Sequence, residues 1–549
     1  MVELDELPTT VVGVMPAGFD FPERADLWVP QPLDPNSLGC WCLRGLGRLA
    51  PGVSLEEARR EIVRMADEEA ERAWGPDSTR GSSIAIIQTL SGLITSDVRM
   101  PLLVLLGAVG MVLLIMCVNL ANLSLARAAG RGRELAVTAC LGASTLRVAR
   151  QLFAENLMVA AIGGAAGIAV ARAFLQLFRR LPLDGFPRLD DVRLDGLVIG
   201  FGLVITLGSA TLFGILPAWR GSRVNLQDAL KEGGRGGRSG RSRRLQDAFV
   251  VVQIALSLVL LSAAGLLLRS LDRLLSIDPG FAAAHVLTAS LSIPAGRYGS
   301  EDAALRFHNR LLEEIRALPG VEAAGLTWRA PFAGGNPQKE VVGEGHVFAP
   351  DEPIPVANNR YVSTGYFAAI GTPIVRGRSF EDTDDRAHPL VAIVDETLAR
   401  RYWPDGDALG KRIRFGADPA TNAAMTIVGI AKNAKFESLG EVPTFQIYQP
   451  MTQATPLSMN IVVRTSGDPQ RFASVLRSRV AALDPAVPVY RISTLVQSVG
   501  RTLAARRVTN GLILGFAAVA LLLATTGVYG VMSIGVTDRA DPLVVLRDD

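Results

Sequence analysis

The sequence predicts a membrane protein built from α-helical transmembrane segments and α+β domains that lie outside the membrane. Two observations carry this prediction. Hydrophobic residues make up 49% of the 549 residues and charged residues only 20%, and the hydrophobic residues are concentrated in separate stretches. Such a chain is too apolar for one large soluble enzyme and too charged to lie wholly within a bilayer. We therefore expect membrane helices and soluble domains to alternate along it.

Five stretches are long and apolar enough to cross a bilayer. A hydrocarbon core about 30 Å thick requires roughly 20 apolar helical residues. The five stretches lie at 101–126, 152–174, 197–219, 248–268 and 509–533. The first of them contains Asn119 and Asn122. Because amides are costly in lipid, we expect these two side chains on a face that packs against another helix.

Arginines in the connecting segments predict the orientation of the helices. Residues 127–150 carry five arginines against one acidic residue, and residues 220–247 carry seven arginines and one lysine against three acidic residues. Basic connections are held on the cytoplasmic side of membrane proteins. The alternation of helices then places residues 1–100 and 269–507 outside the cytoplasm. Residues 220–247, which we call the Arg-rich linker, are also compatible with binding to anionic lipid head groups. The net charge of +3 gives no reason to expect a nucleic-acid partner.

The long stretch at 269–507 has the texture of an α+β domain. Residues 305–321 read as an amphipathic helix, whereas AMTIVGI, TFQIYQP and MNIVVRT read as short strands. The acidic run at 377–385 lacks the ligand spacing of a calcium loop, so we expect a solvated turn. The four histidines are far apart in sequence and are expected on the surface. The pair Cys40 and Cys42 is too small to form a metal site alone.

An internal repeat relates the start of the chain to the end of this stretch. Thr10–Val14 is similar to Thr426–Ile430, LWVPQPL at 27–33 is similar to FQIYQPM, and an apolar stretch follows each copy at a comparable distance. The first copy then continues for two further helices, whereas the second stops after one. We therefore expect that the chain is truncated at both ends.

Several motifs resemble the permease family of MacB, the lipoprotein-releasing permeases and FtsX. NLANLSLARAAGRGRELAVTACLGASTLRVARQLFAENLMVAAIGGAAG resembles the family's second helix, cytoplasmic coupling segment and third helix. TVVGVMPAGFDFP, GYFAAIGTPIVRGRSF and LARRYWPDGDALGKRIRF resemble the MacB-type periplasmic core domain. The tandem duplication resembles that of the family's duplicated orphan permeases. The second half departs from this pattern, because RADPLVVLRDD, with Pro542, stands where its own coupling segment is expected.

The resemblance implies a domain order and a coupling site. The implied order is the end of a first periplasmic core domain (1–100), an FtsX-like three-helix domain (101–219), a cytoplasmic linker (220–247), a membrane helix (248–268), a second core domain (269–507) and the helix of an incomplete second FtsX-like domain (509–533). The segment 127–150 would contact an ATPase subunit. Its expected coupling residues are Arg131, Arg133, Glu134, Leu135, Leu141 and Gly142. Without that resemblance, the same segment reads as a helix that lies along the membrane surface.

The expected function is that of a permease subunit and not of an enzyme. A nucleotide-binding loop has the form GxxxxGK[ST], and the nearest approach, Gly406–Arg412, has a shorter spacing and arginine in place of the hydroxyl residue. We expect no cofactor or metal, and a separate ABC ATPase as partner, together with the lipid bilayer and a periplasmic adaptor or cargo. The expected location is the bacterial inner membrane. The alternatives are an FtsX-like regulator of a partner such as a cell-wall hydrolase, and a non-functional permease fragment.

Overall fold

The structure is a computed structural model that describes most of the chain. The described residues are 2–4, 7–17, 19, 21, 25–30, 45–74, 87–130, 145–180, 193–221, 240–348, 352, 354–416, 422–442 and 444–537. They divide into two compact units. One unit comprises Met1–Thr89 and Leu274–Thr502, and the other comprises Leu90–Arg273 and Leu503–Asp549.

The described α-helices of both units are, in chain order, α1 (Leu55–Trp74), α2 (Leu90–Gly130), α3 (Thr145–Arg180), α4 (Gly196–Gly221), α5 (Gly240–Leu275), α6 (Ala295–Tyr298), α7 (Glu301–Arg316), α8 (Tyr366–Ile370), α9 (Glu396–Tyr402), α10 (Phe472–Leu483) and α11 (Leu495–Thr537).

The five predicted apolar stretches lie in α2, α3, α4, α5 and α11, which we call the membrane-type helices. Each of these helices is longer than its apolar stretch, because polar flanking residues continue the helix.

Four of these helices are long and apolar enough to cross a membrane, judged by length and composition. Their candidate spans are Arg99–Asn122, Leu157–Leu177, Asp247–Leu275 and Leu495–Gly530. The fifth predicted stretch forms α4, in which the described residues contribute a shorter apolar segment, Gly196–Gly208.

The strands within residues 274–502 form one mixed sheet. The strands of the chain are β1 (Val2–Leu4), β2 (Leu7–Thr9), β3 (Val286–Ser292), β4 (Val321–Thr327), β5 (Gln338–Gly343), β6 (Val356–Val362), β7 (Ile374–Gly377), β8 (Val391–Asp395), β9 (Arg412–Phe415), β10 (Met425–Ala431), β11 (Phe445–Pro450), β12 (Ser458–Thr465) and β13 (Val489–Thr494). Only β1 and β2, among the described strands, lie apart, in a two-stranded antiparallel sheet.

Part of the mixed sheet closes on itself. The strands pair in the order β5, β6, β11, β8, β10, β9, and β9 pairs with β5 again, which makes a six-stranded ring. From β6 the sheet extends as β4, β12, β3 and β13, all antiparallel. The ring has its own apolar core, which includes Val341, Ala392, Ile427 and Ile447.

Alternation along the extended part of the sheet produces two more cores. On β12, Ile461 and Val463 face the helices α7 and α10, whereas Val462 faces the opposite side, which α8 covers. This two-residue period is that of a strand buried on both faces. The α+β class predicted for residues 269–507 is therefore confirmed.

Individual predicted elements agree with the structure to within a few residues. The three predicted strands are β10, β11 and β12. The predicted amphipathic helix is α7, which begins earlier than expected because Ser300 caps it by accepting a hydrogen bond from the amide of Ala303. It ends at Arg316, three residues before Pro319.

The two copies of the predicted repeat differ in their described parts. Thr426–Ile430 lies within β10, whereas residues 10–14 are not in a strand, and Val12 and Val14 are 98% and 92% exposed. The later parts of the copies share an order, because a surface helix precedes a long apolar helix in each: α1 precedes α2, and α10 precedes α11.

Gly325 on β4 allows α8 to approach the sheet closely. A Cβ atom at this position would lie 2.5 Å from the Cα of Tyr366 and 2.7 Å from its amide nitrogen. Both are backbone atoms, which cannot move aside as a flexible side chain can.

We predict that Gly325→Ala destabilises this domain by about 1–3 kcal/mol, the usual cost of overpacking. The measurement is the thermal unfolding midpoint of the detergent-solubilised chain. Gly467→Ala is the matched control, because a Cβ atom at position 467 would meet no heavy atom within 4 Å. Equal midpoints for the two variants would contradict the close packing of α8 on β4.

Candidate functional site

The predicted coupling segment connects two long helices. The helix α2 ends at Gly130, and α3 begins at Thr145. The expected coupling residues fall between these helices and lie outside the described residues, so their role stays a prediction: Arg131, Arg133, Glu134, Leu135, Leu141 and Gly142. Cys40, Cys42, Cys140 and most of the Arg-rich linker also lie outside the described part of the chain.

The start of α11 is built into the core of the α+β domain. Leu495, its first residue, is fully buried in the apolar cluster on the α8 side of the sheet, and Val499 packs against the same cluster. Strand β13 ends at Thr494, so no residue separates the sheet from the helix. The first turns of this helix are therefore part of the domain.

A reciprocal cap fixes this helix start. The amide of Thr494 donates to the Oε1 of Gln497 over 3.0 Å, and the amide of Gln497 donates to the Oγ1 of Thr494 over 3.1 Å. This is a capping box, which satisfies two otherwise unpaired donors. The hydroxyl of Thr288 on β3 also donates to the carbonyl of Ser493 over 3.1 Å, which fastens β13 immediately before the helix.

The segment that leads from α5 into β3 is fastened as well. Asp278 pairs with the ammonium group of Lys432 at 2.6 Å and accepts from the amide of Gly280. Gly280 has a φ of 81°, and a Cβ atom there would lie 1.8 Å from the carbonyl oxygen of Asn433. Only glycine fits this approach. Hydrogen bonds and packing within the domain therefore hold both connecting segments in place, the one between α5 and β3 and the one between β13 and α11.

A chain of buried polar groups runs through the ring of strands. Arg360 is fully buried and donates to Gln446 Oε1 at 3.0 Å and to Asn336 Oδ1 at 2.7 Å, while its guanidinium carbon lies 3.4 Å from the ring centre of Phe436. The amide of Gln446 in turn donates to Asp395 Oδ1 over 3.1 Å. Burial lowers the pKa of Arg360 to about 10.

Asp395 is the buried acid that ends this series of polar contacts. It caps α9 by accepting from the amide of Leu398 at 3.1 Å. Burial raises the pKa of Asp395 to about 7, although the amides of Gln446 and Leu398 act in the opposite direction. Neither Arg360 nor Asp395 was singled out in the sequence, because the burial that distinguishes them comes from strand pairing.

The weaker sequence motifs have structural explanations. In the acidic run, Arg378 donates to both carboxylate oxygens of Asp384 at 2.7 and 2.8 Å, and this bidentate ion pair holds the turn in place. The segment Gly406–Arg412 leads into strand β9, whereas a nucleotide-binding loop would lead into a helix. Among the described residues, no group of three or more His, Cys, Asp or Glu side chains is placed to hold a metal ion.

One expectation about the histidines is wrong. His308 on α7 is fully buried, and its Nε2 lies 3.1 Å from the carbonyl oxygen of Pro456. Burial lowers its pKa to about 4. The helical spacing places it between Ala304 and Leu311, both of which are buried in the core. His285 and His388 are exposed, as expected.

Comparison with known proteins finds two family matches on different parts of the chain. The model described as "MacB-like periplasmic core domain" matches residues 248–479, and the model described as "FtsX-like permease C-terminal" matches residues 106–226. The chain belongs to the MacB/FtsX-like ABC transporter permeases. It is a membrane protein with a MacB-like periplasmic core domain.

Individual relatives of this permease are more distant. A protein of Aeromonas hydrophila subsp. hydrophila named "Macrolide export ATP-binding/permease protein MacB 1" is 27% identical over 42% of this chain and 35% of its own length. The MacB protein of Salmonella paratyphi A is 23% identical over 42% of this chain and 34% of its own length. The chain thus spans about a third of these relatives. The crystal structure of the periplasmic region of MacB from Actinobacillus actinomycetemcomitans matches 42% of this chain and 97% of that chain, at 15% identity and a TM-score of 0.28.

The raised pKa of Asp395 makes the stability of the core domain depend on pH. Between pH 4 and 7 the folded form holds a proton that the unfolded form has lost, so the free energy of unfolding falls as pH rises towards about 7. We predict that Asp395→Asn, which keeps a good helix cap, removes this dependence and stabilises the domain at pH 8 by on the order of 2–4 kcal/mol. The measurement is the unfolding midpoint at pH 4.5, 6 and 8.

The matched control for this prediction is Asp405→Asn, at an exposed position of the same domain. It should leave the pH dependence as in the wild type. An Asp395→Asn variant that loses stability at pH 8 would contradict the assignment of a proton to this buried carboxyl group.

Proposed function

We propose that this chain is the permease subunit of an ABC-type export system in the bacterial inner membrane. A separate ATPase hydrolyses ATP on the cytoplasmic side, and its motion passes through the membrane helices to the periplasmic core domain. The moving domain then drives efflux of a cargo or its release from the membrane. This transfer of mechanical work along the chain is mechanotransmission.

The observation that carries this proposal is the origin of α11 inside the domain core. A flexible linker between the domain and the helix would let one move without the other. Here Leu495 and Val499 belong to the domain's apolar cluster, and the same helix continues without a break to Thr537. A displacement of the helix therefore acts directly on β13 and on the strands paired to it.

The ATPase would dock on the segment between α2 and α3. In the proposed docking, Arg131, Arg133 and Glu134 would supply charges for the partner, Leu135 and Leu141 would supply apolar contacts, and Gly142 would end the contact segment. The relatives' names combine ATP-binding and permease functions, and this sequence contains no GxxxxGK[ST] motif. The proposal assigns ATP hydrolysis to a separate ATPase subunit, and a periplasmic adaptor or cargo is the proposed partner of the core domain.

Charge reversal in the coupling segment tests the docking site. We predict that Arg133→Glu/Glu134→Arg lowers the amount of ATPase that co-purifies with the solubilised chain at least tenfold, because both charges would then face like charges on the partner. The measurement is co-purification with candidate ATPase subunits encoded in the same genome.

A matched control is available on the surface of α1. Arg60→Glu/Glu61→Arg reverses the same adjacent pair of residues on an exposed helix and should leave binding unchanged. If no candidate ATPase binds the wild-type chain, the coupling mechanism is wrong, and regulation of a periplasmic partner or a non-functional fragment becomes the better account.

A second prediction concerns the stiffness of α11. Ala504→Gly/Ala505→Gly weakens the helix by about 1 kcal/mol per position just beyond its first two turns. We predict that this pair abolishes the change in protease sensitivity of the core domain that ATP produces in the assembled complex, while the ATPase still co-purifies.

The same kind of change in α1, Ala58→Gly/Ala66→Gly, serves as the control, because that helix lies outside the proposed path. An ATP response in the α11 variant equal to that of the wild type would show that α11 does not transmit the motion.

A further inference from the structure

The buried face of α11 follows a regular spacing through the membrane-type bundle. Its residues recur at intervals of three and four along the helix: Asn510, Ile513, Ala517, Ala520, Ala524 and Gly527. The facing residues of α5 follow the same rule: Gln253, Ser257, Leu260, Ala264 and Leu267. With Ala108 and Ile115 of α2 these faces form one core. This is the spacing of coiled-coil packing.

Polar bonds between α5 and α11 keep one antiparallel register. The amide of Asn510 donates to the carbonyl of Leu267 over 3.1 Å. Further along, the hydroxyl of Ser257 donates to Ala520 over 3.4 Å, and the Nε2 of Gln253 donates to Leu523 over 2.7 Å. From the first bond to the third, the bonded residue on α11 changes from 510 to 520 to 523, while the bonded residue on α5 changes from 267 to 257 to 253. All three bonds therefore report the same alignment of the two helices.

The alanine layers of α11 alone select this alignment weakly. Three consecutive layers of α11 present the same small side chain, that of alanine, at 517, 520 and 524. A slide of one heptad, about 10 Å along the axis, would place Ala524 where Ala517 had been, so the packing at this layer would not distinguish the two alignments. The polar side chains respond differently, because lipid offers no hydrogen-bond partner to a side-chain amide or hydroxyl group that loses its own.

The layer around Gln253 is the most restrictive one. The carbonyl of Leu523 accepts from Gln253 and also from the Nδ2 of Asn119 on α2, at 3.4 Å. A Cβ atom on Gly527 would lie 2.7 Å from the Nε2 of Gln253 and 2.9 Å from the Oδ1 of Asn119. Both amides would have to shift if residue 527 carried a Cβ atom, and this combination of two amides around a glycine occurs at no other layer of the α11 face described above.

This layer is costly, which separates its role from simple stabilisation. Gln253 is fully buried and Asn122 is 3% exposed, and Gln253 Oε1, Asn119 Oδ1 and both amide atoms of Asn122 have no hydrogen-bond partner among the described residues. Apolar residues would pack here at lower cost. A single polar layer in an apolar helix interface is the feature by which coiled coils specify register.

We propose that Gln253, Asn119 and Gly527 form a register lock that prevents α11 from sliding along α5. The proposal rests on these helices spanning the membrane. It deepens the proposed function by one step: with sliding blocked, α5 and α11 move together, and motion enters the core domain through both of its fastened chain segments at once.

Disulfide cross-linking of the full chain tests the lock without nucleotide or ATPase. The native cysteines Cys40, Cys42, Cys117 and Cys140 are first replaced. An in-register pair, Leu260→Cys with Ala517→Cys, should cross-link in the otherwise unchanged chain. A displaced pair, Leu260→Cys with Ala524→Cys, should not, because it is one heptad out of register. Gln253→Leu and Gly527→Ala should each reduce the in-register cross-link threefold or more and raise the displaced one.

Matched changes outside the lock complete the design. Gln176→Leu makes the same substitution at an exposed position of α3, and Gly515→Ala adds a methyl group to α11 where nothing lies within 4 Å. Both should leave the two cross-links unchanged. An in-register cross-link that is absent from the unchanged chain, or that survives both lock variants, would overturn the proposal. Loss of both cross-links would also overturn it, because the amides would then hold the helices together without selecting a register.

Discussion

Burial of Leu495 in the core of the α+β domain is the contact on which this architecture depends. It makes one helix belong both to a folded domain and to a membrane-type bundle. The capping box of Thr494 and Gln497 satisfies the donors at the helix start. The helix therefore needs no linker, and the domain cannot shift against its first turns without losing apolar burial and hydrogen bonds together.

The remainder of the domain reinforces that anchor. The strand before the helix, β13, pairs with β3, which follows the segment fastened by Asp278 and Gly280. The two chain segments that continue into α5 and α11 thus end on neighbouring strands. At the centre of the sheet, β6 belongs both to the closed ring and to the extended part. Backbone hydrogen bonds connect β13 through β3, β12 and β4 to that shared strand.

Sequence reasoning predicted what depends on local pattern. Hydropathy located the long helices, alternation located β10 to β12, and the amides at 119 and 122 were expected on a packed helix face, where the bond of Asn119 to Leu523 places that side chain. The apolar stretch at 509–533 lies within α11, but hydropathy did not reveal that this helix begins at Leu495, because Arg501, Arg506 and Arg507 interrupt the apolar sequence before residue 509. The expectation that His308 lies on the surface was wrong, although its helical spacing with Leu311 and Leu312 indicated that all three side chains share a buried face.

Features that depend on distant pairing were not predictable from one sequence. The ring closes through β6 and β11, whose paired residues are far apart in the chain, and the burial of Arg360 and Asp395 follows from that closure. The contacts of Gln253 and Gly527 could not be predicted, because they depend on how α5 packs against α11. The coupling residues between α2 and α3 remain predictions from resemblance to MacB and FtsX.

Hydrogen exchange measured on the solubilised full chain tests the central claim most directly. If the first turns of α11 are part of the domain, the amides of residues 498–502 exchange as slowly as those of β3, and both lose protection together as denaturant is added. Rapid exchange at 498–502 while β3 stays protected would contradict the account, because the helix would then be joined to the domain by a frayed and flexible segment.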